Sequence, residues 1–284
     1  MTGDYQSTNT ISRRVLLFVG GDPEFAAPAS VDRPLTDAGH HLDVGGAALV
    51  VAADSGLERA IGLGVAVDHV VGDLDSVSPG ALKAAAASGA TVHRHEADKD
   101  ATDLELALDL AVELIGGFGG GTRTAIHVVG GGGGRLDHLL GDVMLLTAAR
   151  LAGYTVTARF GPARLDVVRP GHVTGFDGPA GTVVSLLPMH GDALGVTTTG
   201  LRWALTDGDL VAGTSRAISN ELIGGPATVT VGVGTLAVVR PGPGVVRRSG
   251  IPPRTGTYDP SPRARTSPTV VDQPAAYPGD PDDR

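Results

Sequence analysis

His69-Val70-Val71-Gly72-Asp73-Leu74-Asp75-Ser76 runs from a short apolar, β-branched segment straight into two carboxylates spaced i, i+2. An apolar run this short, closed by glycine, reads as a buried strand. Pro79–Ser88, which follows, reads as a helix and Thr91–His93 as the next strand, so the stretch is one strand-helix-strand unit. The alternation extends in both directions. Val15–Val19, Leu49–Ala53 and Ile126–Val129 read as further strands, and Ser55–Ile61, Asp103–Ile115 and Asp137–Leu151 as further helices. That order predicts a parallel sheet covered by helices, with the ligand site at the carboxyl ends of the strands.

Past the last helix the pattern changes. Thr155–Phe160, Leu165–Val168, Thr182–Leu187, Val196–Thr199, Ala227–Val233 and Leu236–Val239 are β-branched runs separated by Gly, Pro and Asp turns, the signature of a small sandwich or barrel. The fold class is therefore α/β: a parallel-sheet, Rossmann-like domain over residues 14–162, followed by a small all-β sandwich domain over 163–245. Residues 1–13 are polar and patternless and 246–284 are rich in Pro, Ser, Thr, Arg and Asp, so both read as disordered tails. No internal repeat is evident.

The chain has 284 residues, 42% hydrophobic, enough for about two cores. It contains no cysteine, which excludes disulfides, thiolate metal sites and a cysteine nucleophile; a bound metal must take oxygen or imidazole ligands. A formal charge of −9 gives no footprint for a nucleic-acid backbone. No apolar run is long enough to span a membrane. Ser12-Arg13-Arg14-Val15-Leu16-Leu17 superficially resembles a twin-arginine export signal, but the run stops at Gly20-Gly21-Asp22-Pro23-Glu24, too soon for a signal core. The expected location is the cytoplasm.

Four strand-to-helix turns carry polar residues suited to phosphate or metal. Asp73 and Asp75 lie on one side of an extended chain, a costly arrangement that a hard divalent cation relieves; the same residues also suit an ordinary turn and cap, and on this motif alone the two readings stand level. In Asp98-Lys99-Asp100-Ala101-Thr102-Asp103-Leu104-Glu105, Thr102 and Glu105 fit a capping box. Capping does not require so many acids and a rare lysine at one helix start, whereas a metal-phosphate site uses carboxylate for the metal and Lys99 for phosphate. Five glycines, Gly130 to Gly134, precede Arg135-Leu136-Asp137-His138: bare backbone approaches phosphate closely and Arg135 offers a bidentate fork, although a glycine run is also a common flexible loop. Asp54-Ser55-Gly56 is the weakest of the four, since an acid there commonly caps a helix. In the β-rich part, Trp203 is the only tryptophan and Ser219-Asn220-Glu221 follows on a loop. His40, His41, His93, His95, His127, His172 and His190 show no metal-ligand spacing.

These segments, in this order across residues 15 to 240, resemble the thiamine pyrophosphokinase (thiamine diphosphokinase) family. The resemblance implies a homodimer with active sites between subunits, each chain pairing an ATP-binding catalytic domain with a thiamine-binding sandwich. It further implies transfer of the pyrophosphoryl group of ATP to thiamine, giving thiamine diphosphate and AMP. Asp73, Asp75 and Asp103 match positions expected to hold Mg2+, and with Arg135 form the catalytic set. Asp54, Ser55, Gly56, Lys99, Thr102, Gly134, Arg135, Asp137 and His138 match the ATP side, and Trp203, Ser219 and Asn220 the thiamine side. Two positions depart from the family pattern: Asp54-Ser55-Gly56 replaces Asp-Gly-Gly, and Gly141-Asp142 stands where Asn is common, which bears on substrate selectivity. The alternatives are a pyrophosphokinase for another acceptor, such as a pterin, or a nucleotide- or thiamine-binding module without turnover.

Overall fold

Every residue from Val15 to Val19 is buried, and alternate side chains of this strand enter two different cores. Val15, Leu17 and Val19 face one side of the sheet and Leu16 and Phe18 the other, as a period of two requires when both faces are covered. The computed structural model describes residues 13–21, 36–37, 40–41, 46–96, 98, 100–116, 124–132 and 135–242. The tails expected to be disordered lie outside these residues, except that Arg13 already belongs to the first strand.

The elements are, in order, β1 (Arg13–Val19), β2 (Thr36–Asp37), β3 (His40–His41), β4 (Leu49–Ala53), α1 (Gly56–Gly62), β5 (His69–Gly72), α2 (Pro79–Ala87), β6 (Thr91–Arg94), α3 (Asp103–Leu114), β7 (Thr124–Gly130) and α4 (Leu136–Thr147). A 3-10 turn at Ala149–Leu151 leads into β8 (Thr155–Phe160), β9 (Ala163–Val168), β10 (Thr174–Phe176), β11 (Val183–Thr199), β12 (Gly208–Leu210), β13 (Asn220–Glu221), β14 (Ala227–Thr230) and β15 (Val233–Arg240). Among the described residues these strands form one mixed sheet in the order β10-β14-β11-β15-β9-β8-β7-β1-β4-β5-β6, with β12 and β13 paired to β11. From β6 to β8 neighbouring strands are parallel; from β8 to β10 they are antiparallel. The short pair β2 and β3 stands apart.

Helices cover both faces of the parallel strands. Leu104, Ala107, Leu108, Ala111 and Val112 of α3, at helical spacing, pack with Val15, Val51 and Ile126; Leu57 and Ala60 of α1 and Ala85 of α2 pack with Phe18, Val50 and Val70. Ser78 caps α2 by accepting from Ala81 N at 3.3 Å, ahead of Pro79 at the first helical position. Thr102 caps α3, accepting from Glu105 N at 3.2 Å. The Glu105 carboxylate turns to Arg150 at 3.1 Å, so the expected reciprocal box yields to a tertiary ion pair. The antiparallel strands enclose a core of their own, built on Val184, Leu186, Val196, Val229, Leu236 and Val238.

Several elements differ from expectation: the strand expected over Ala227–Val233 ends at Thr230 with Val233 opening β15, Asn220–Glu221, expected on a loop, form β13, and α4 and β11 differ for reasons visible in their contacts. The helix expected over 137–151 stops at Thr147, because Ala148 is extended and Arg169 donates to the carbonyls of Leu146 (3.4 Å) and Ala148 (3.0 Å), serving the helix end in place of another turn. The two strands expected at Thr182–Leu187 and Val196–Thr199 are one strand, β11. His190 and Gly191, at positive φ (59° and 145°), sit where its register shifts between Met189 and Leu194, so residues that resemble a turn form a bulge.

His127, on β7, hydrogen-bonds Thr157 Oγ1 at 2.7 Å, and burial, helped by Arg164 and Arg14, pushes its pKa down to about 4. Between the unfolded value of about 6.5 and 4, the unfolded chain binds a proton that the fold refuses, so stability falls as pH falls, by about 3 kcal/mol over the whole window. Urea melts at pH 7 and pH 4.5 check this: wild type should lose more stability than His127→Gln, and equal losses would exclude His127 as the cause.

Candidate active site

The carboxyl ends of β4 and β5 converge. Asp54 follows β4 directly and donates its backbone N–H to Val71 O at 2.8 Å, while Asp73 and Asp75 follow β5. Carboxylate oxygens of Asp54, Asp73 and Asp75 all lie within 4.8 Å of one another. Gly72, at φ +146°, forms the floor between them: a Cβ there would stand 3.1 Å from Asp103 Oδ1 and 3.3 Å from the Asp54 Cβ, so the fourth carboxylate lies alongside the other three. Asp54, expected on the nucleotide side, thus lies together with Asp73 and Asp75.

The convergence of Asp73 and Asp75 does not come from an extended chain. Leu74 is in the left-handed region (φ 64°) with its side chain buried, and the turn brings Asp75 N to Asp73 Oδ1 at 3.1 Å. Asp54 is also left-handed (φ 47°). Such backbone costs on the order of 1 kcal/mol per residue and concentrates at functional sites. Arg94 donates to Asp73 O at 3.0 Å, tying the turn to β6. The Ser76 hydroxyl donates to Asp54 Oδ2, while Asp54 Oδ1 is buried with no partner among the described residues. Burial raises the Asp54 pKa most; the Ser76 bond opposes this, and the charges of Asp103 and Asp73 push it further up. An orphaned, buried oxygen among like-charged carboxylates, with oxygen as the sole donor type, fits a hard divalent cation such as Mg2+.

The remaining expected residues divide. Ser55 and Gly56 are at the start of α1, where Gly56 is needed for packing: a Cβ would collide with Phe18 O and stand 2.7 Å from Val19 N. Gly56→Ala should cost about 3 kcal/mol, the upper end of overpacking, read as a lowered melting temperature; an unchanged melt would refute the close approach. Thr102 serves as the cap described above. Arg135 and Asp137, both largely exposed at the start of α4, hold each other, with Arg135 Nε 3.2 Å from Asp137 Oδ1, and this pairing takes the Asp137 pKa down to about 2. The Arg135 fork thus rests on the carboxylate of Asp137, the residue immediately before His138. Lys99 and Gly134 lie outside the described residues.

Trp203, Ser219 and Asn220 lie in the antiparallel part. Asn220 is buried, and its amide holds the Trp203 segment: Oδ1 accepts from Trp203 N (3.1 Å) and Glu221 N (2.8 Å), and Nδ2 donates to Trp203 O (2.9 Å). It therefore acts as a clamp on Trp203, the residue that the resemblance places with it on the thiamine side. Trp203 is 39% exposed, with the Arg202 guanidinium 5.0 Å from its ring centroid, and Arg202 is held in turn by Glu221 at 3.0 Å. Ser219, at φ 58°, donates its N–H to Ser185 Oγ at 3.0 Å. The strand carrying Asn220 pairs with β11, six strand steps from β4, on the order of 30 Å measured along the sheet. Two polar groups near the glycine run received no role from the sequence: Asp142, whose pKa burial pushes up to about 6, and Arg59. A single Arg or Asp inside a helix carries no spacing signal, so only packing reveals them.

Two family models match successive stretches of the chain. Residues 44–157 match the family described as "Thiamin pyrophosphokinase, catalytic domain" and residues 173–236 match "Thiamin pyrophosphokinase, vitamin B1 binding domain". Thiamine pyrophosphokinase of Bacillus subtilis (strain 168) is 27% identical over 192 residues, 68% of this chain and 86% of that protein. The crystal structure of thiamine pyrophosphokinase from Bacillus subtilis superposes with a TM-score of 0.63 at 25% identity, covering 81% of this chain and 99% of that one. The structure of thiamin pyrophosphokinase from Geobacillus thermodenitrificans gives 0.62 at 29% identity, covering 82% and 100%. Yeast thiamin pyrophosphokinase, 16% identical with a TM-score of 0.61 over 81% of this chain and 86% of that one, shares the fold. With both parts matched in order along most of its described length, the chain belongs to the thiamine pyrophosphokinase family.

Proposed function

We propose that this protein is a thiamine diphosphokinase, an ATP-dependent transferase that moves the pyrophosphoryl group of ATP to the hydroxyethyl oxygen of thiamine, giving thiamine diphosphate and AMP. The observation that carries the reading is the convergence of Asp54, Asp73 and Asp75 beside Asp103, within the segment that matches the family's catalytic domain. These carboxylates would hold Mg2+, which when bound neutralises charge on the phosphate oxygens. Ser76 orients Asp54, and Arg94 fixes the turn that presents Asp73. Catalysis then rests on holding the phosphates in line with the acceptor and meeting their charge, with no covalent intermediate on the protein.

In this reading residues 14–162 form a Rossmann-like ATP-binding domain, with Ser55, Lys99, Thr102, Gly134, Arg135, Asp137 and His138 around the nucleotide, and residues 163–245 form the thiamine-binding domain. Arg135 would exchange Asp137 for a phosphate when ATP enters. Trp203 offers a flat apolar face to a thiamine ring, with Ser219 beside it. The separation of this segment from the carboxylates along one chain supports a homodimer in which each site draws on both subunits. The expected location stays cytoplasmic; among the described residues no helix is long and apolar enough to cross a membrane.

Mixing the purified protein with ATP, Mg2+ and thiamine should give AMP and thiamine diphosphate in equal amounts, and neither without thiamine. A folded, ATP-binding protein that makes neither product would overturn the reading, and a hydroxymethylpterin would be the next acceptor to supply.

A further inference from the structure

His69, at the start of β5, and His93, on β6, meet across the last strand pair of the sheet. His69 Nδ1 stands 2.9 Å from His93 Nε2, with the ring centroids 5.1 Å apart and the ring planes tilted by 37°. Spacing in the sequence does not show the pair, because its members are 24 residues apart and only the strand register joins them. His93 lies opposite Val71, and His69 is two residues before Val71 on the same strand, so both side chains emerge on the face that α3 covers. Both are half-buried, and β6 is the outermost strand among the described residues, so the pair is open to solvent from the sheet edge.

Two further groups act on the pair. His95 is exposed and two residues further along β6, hence on the same side of that strand, and Glu113 is on α3. Burial lowers the His93 pKa most, the charges of His69 and His95 lower it further, and Glu113 opposes them. His93 is therefore neutral at neutral pH, the state in which an imidazole ligates metal, and Glu113 supplies negative charge that favours a cation there.

The spacing of the two nitrogens selects the kind of ion. Two nitrogens bound to one ion at about 2.05 Å and at right angles to each other are about 2.9 Å apart, against about 3.3 Å in a tetrahedral shell. The observed 2.9 Å fits adjacent positions of a square or tetragonal shell, the geometry of Cu2+ and Ni2+. Without metal, one ring donates an N–H to the other. A cation can replace that proton: the donor ring takes its other tautomer, both facing nitrogens become lone-pair donors, and the rings stay neutral. Mg2+ prefers oxygen and competes poorly here. The carboxylates lie beyond the opposite end of β5, about 10 Å of strand away.

We propose that His69 and His93 form a second metal site, which takes one divalent transition-metal ion of the Ni2+ or Cu2+ type on two imidazoles, with water or His95 completing the shell. The ion ties the edge strand β6 to β5. Arg94, next to His93, donates to Asp73 O, so the tie also steadies the strand that holds the Asp73 turn. The site does not depend on which acceptor the protein uses.

Calorimetric titration of the full chain with Ni2+, in excess Mg2+ to keep the carboxylates occupied, tests the proposal. Wild type should show one Ni2+ site that His69→Gln and His93→Gln each weaken by at least about tenfold, a loss that removal of an outer partner already causes. The rise in melting temperature on adding Mg2+ alone should be the same in both variants as in wild type. The two substitutions are on different strands, so if one variant does not fold the other supplies the comparison. Pulsed electron paramagnetic resonance of wild type with one equivalent of Cu2+ should show two imidazole nitrogens on the ion, a reading that needs no variant. A wild type without such a Ni2+ site, a folded variant that binds Ni2+ as tightly as wild type, or Cu2+ held through oxygen alone overturns the proposal; the two histidines are then only a hydrogen-bonded pair at the sheet edge.

Discussion

Asp73→Asn should lower thiamine diphosphate formation about 100- to 1000-fold while leaving the fold intact. The substitution keeps the volume of the side chain and an oxygen that can still accept from Asp75 N, so the turn at Leu74 has no reason to rearrange. It removes one of three converging charges that would hold the cation on the transferred phosphates. A cation acting on phosphate oxygens contributes several kcal/mol to the transition state, and each 1.36 kcal/mol is tenfold in rate, which sets the range. The loss should appear in kcat and as a higher Mg2+ requirement. Near-normal turnover in a variant with a wild-type circular dichroism spectrum would remove Asp73 from the metal site.

Asp54→Asn should act in opposite directions on stability and activity. Asp54 is the most strained member of the cluster, with an unpartnered buried oxygen, left-handed backbone and two carboxylates raising its pKa. A folded pKa raised above the unfolded value means that the fold prefers the protonated form: the stabilisation is present at low pH and is lost as pH rises through the folded pKa. At neutral pH the metal-free protein therefore carries a penalty that asparagine lacks. We expect the melting temperature of metal-free Asp54→Asn to exceed wild type by about 2–4 °C, the shift that ~1 kcal/mol produces in a protein of this size. Added Mg2+ should raise the wild-type melt, by about 2.7 kcal/mol at a hundredfold excess over its dissociation constant, and leave the variant almost unmoved. Activity should fall with Mg2+ affinity. A variant less stable than wild type in the absence of metal would show that Asp54 is a structural acid whose charge the fold needs.

The strands and helices around the site were legible because both faces of the sheet are buried and each turn is punctuated by glycine or an acid. Val15–Val19, Leu49–Ala53 and the helix from Asp103 follow from local pattern alone. The pattern failed where tertiary contacts override it: Arg169 ends α4 early, and β11 runs through His190-Gly191 because two different neighbours, β15 and β14, pair with its halves. β10 and β12 are short strands with little apolar periodicity, so nothing in their sequences marked them. In the site, the acids were visible as residue types, but which of them converge was not. Leu74 in a left-handed conformation gathers Asp73 and Asp75, and only the packing of β4 beside β5 shows that Asp54 joins them ahead of Asp103. Asn220 was visible as part of a motif, yet its role as a clamp on Trp203 depends on three hydrogen bonds made by one amide.

The most direct measurement of the central claim is the fate of the label from ATP carrying 32P at its γ position, incubated with the protein, Mg2+ and thiamine. Attack on the β-phosphorus predicts the label in thiamine diphosphate, as its terminal phosphate, with an equal amount of unlabelled AMP. Label in thiamine monophosphate or inorganic phosphate, with ADP as the nucleotide product, would contradict it.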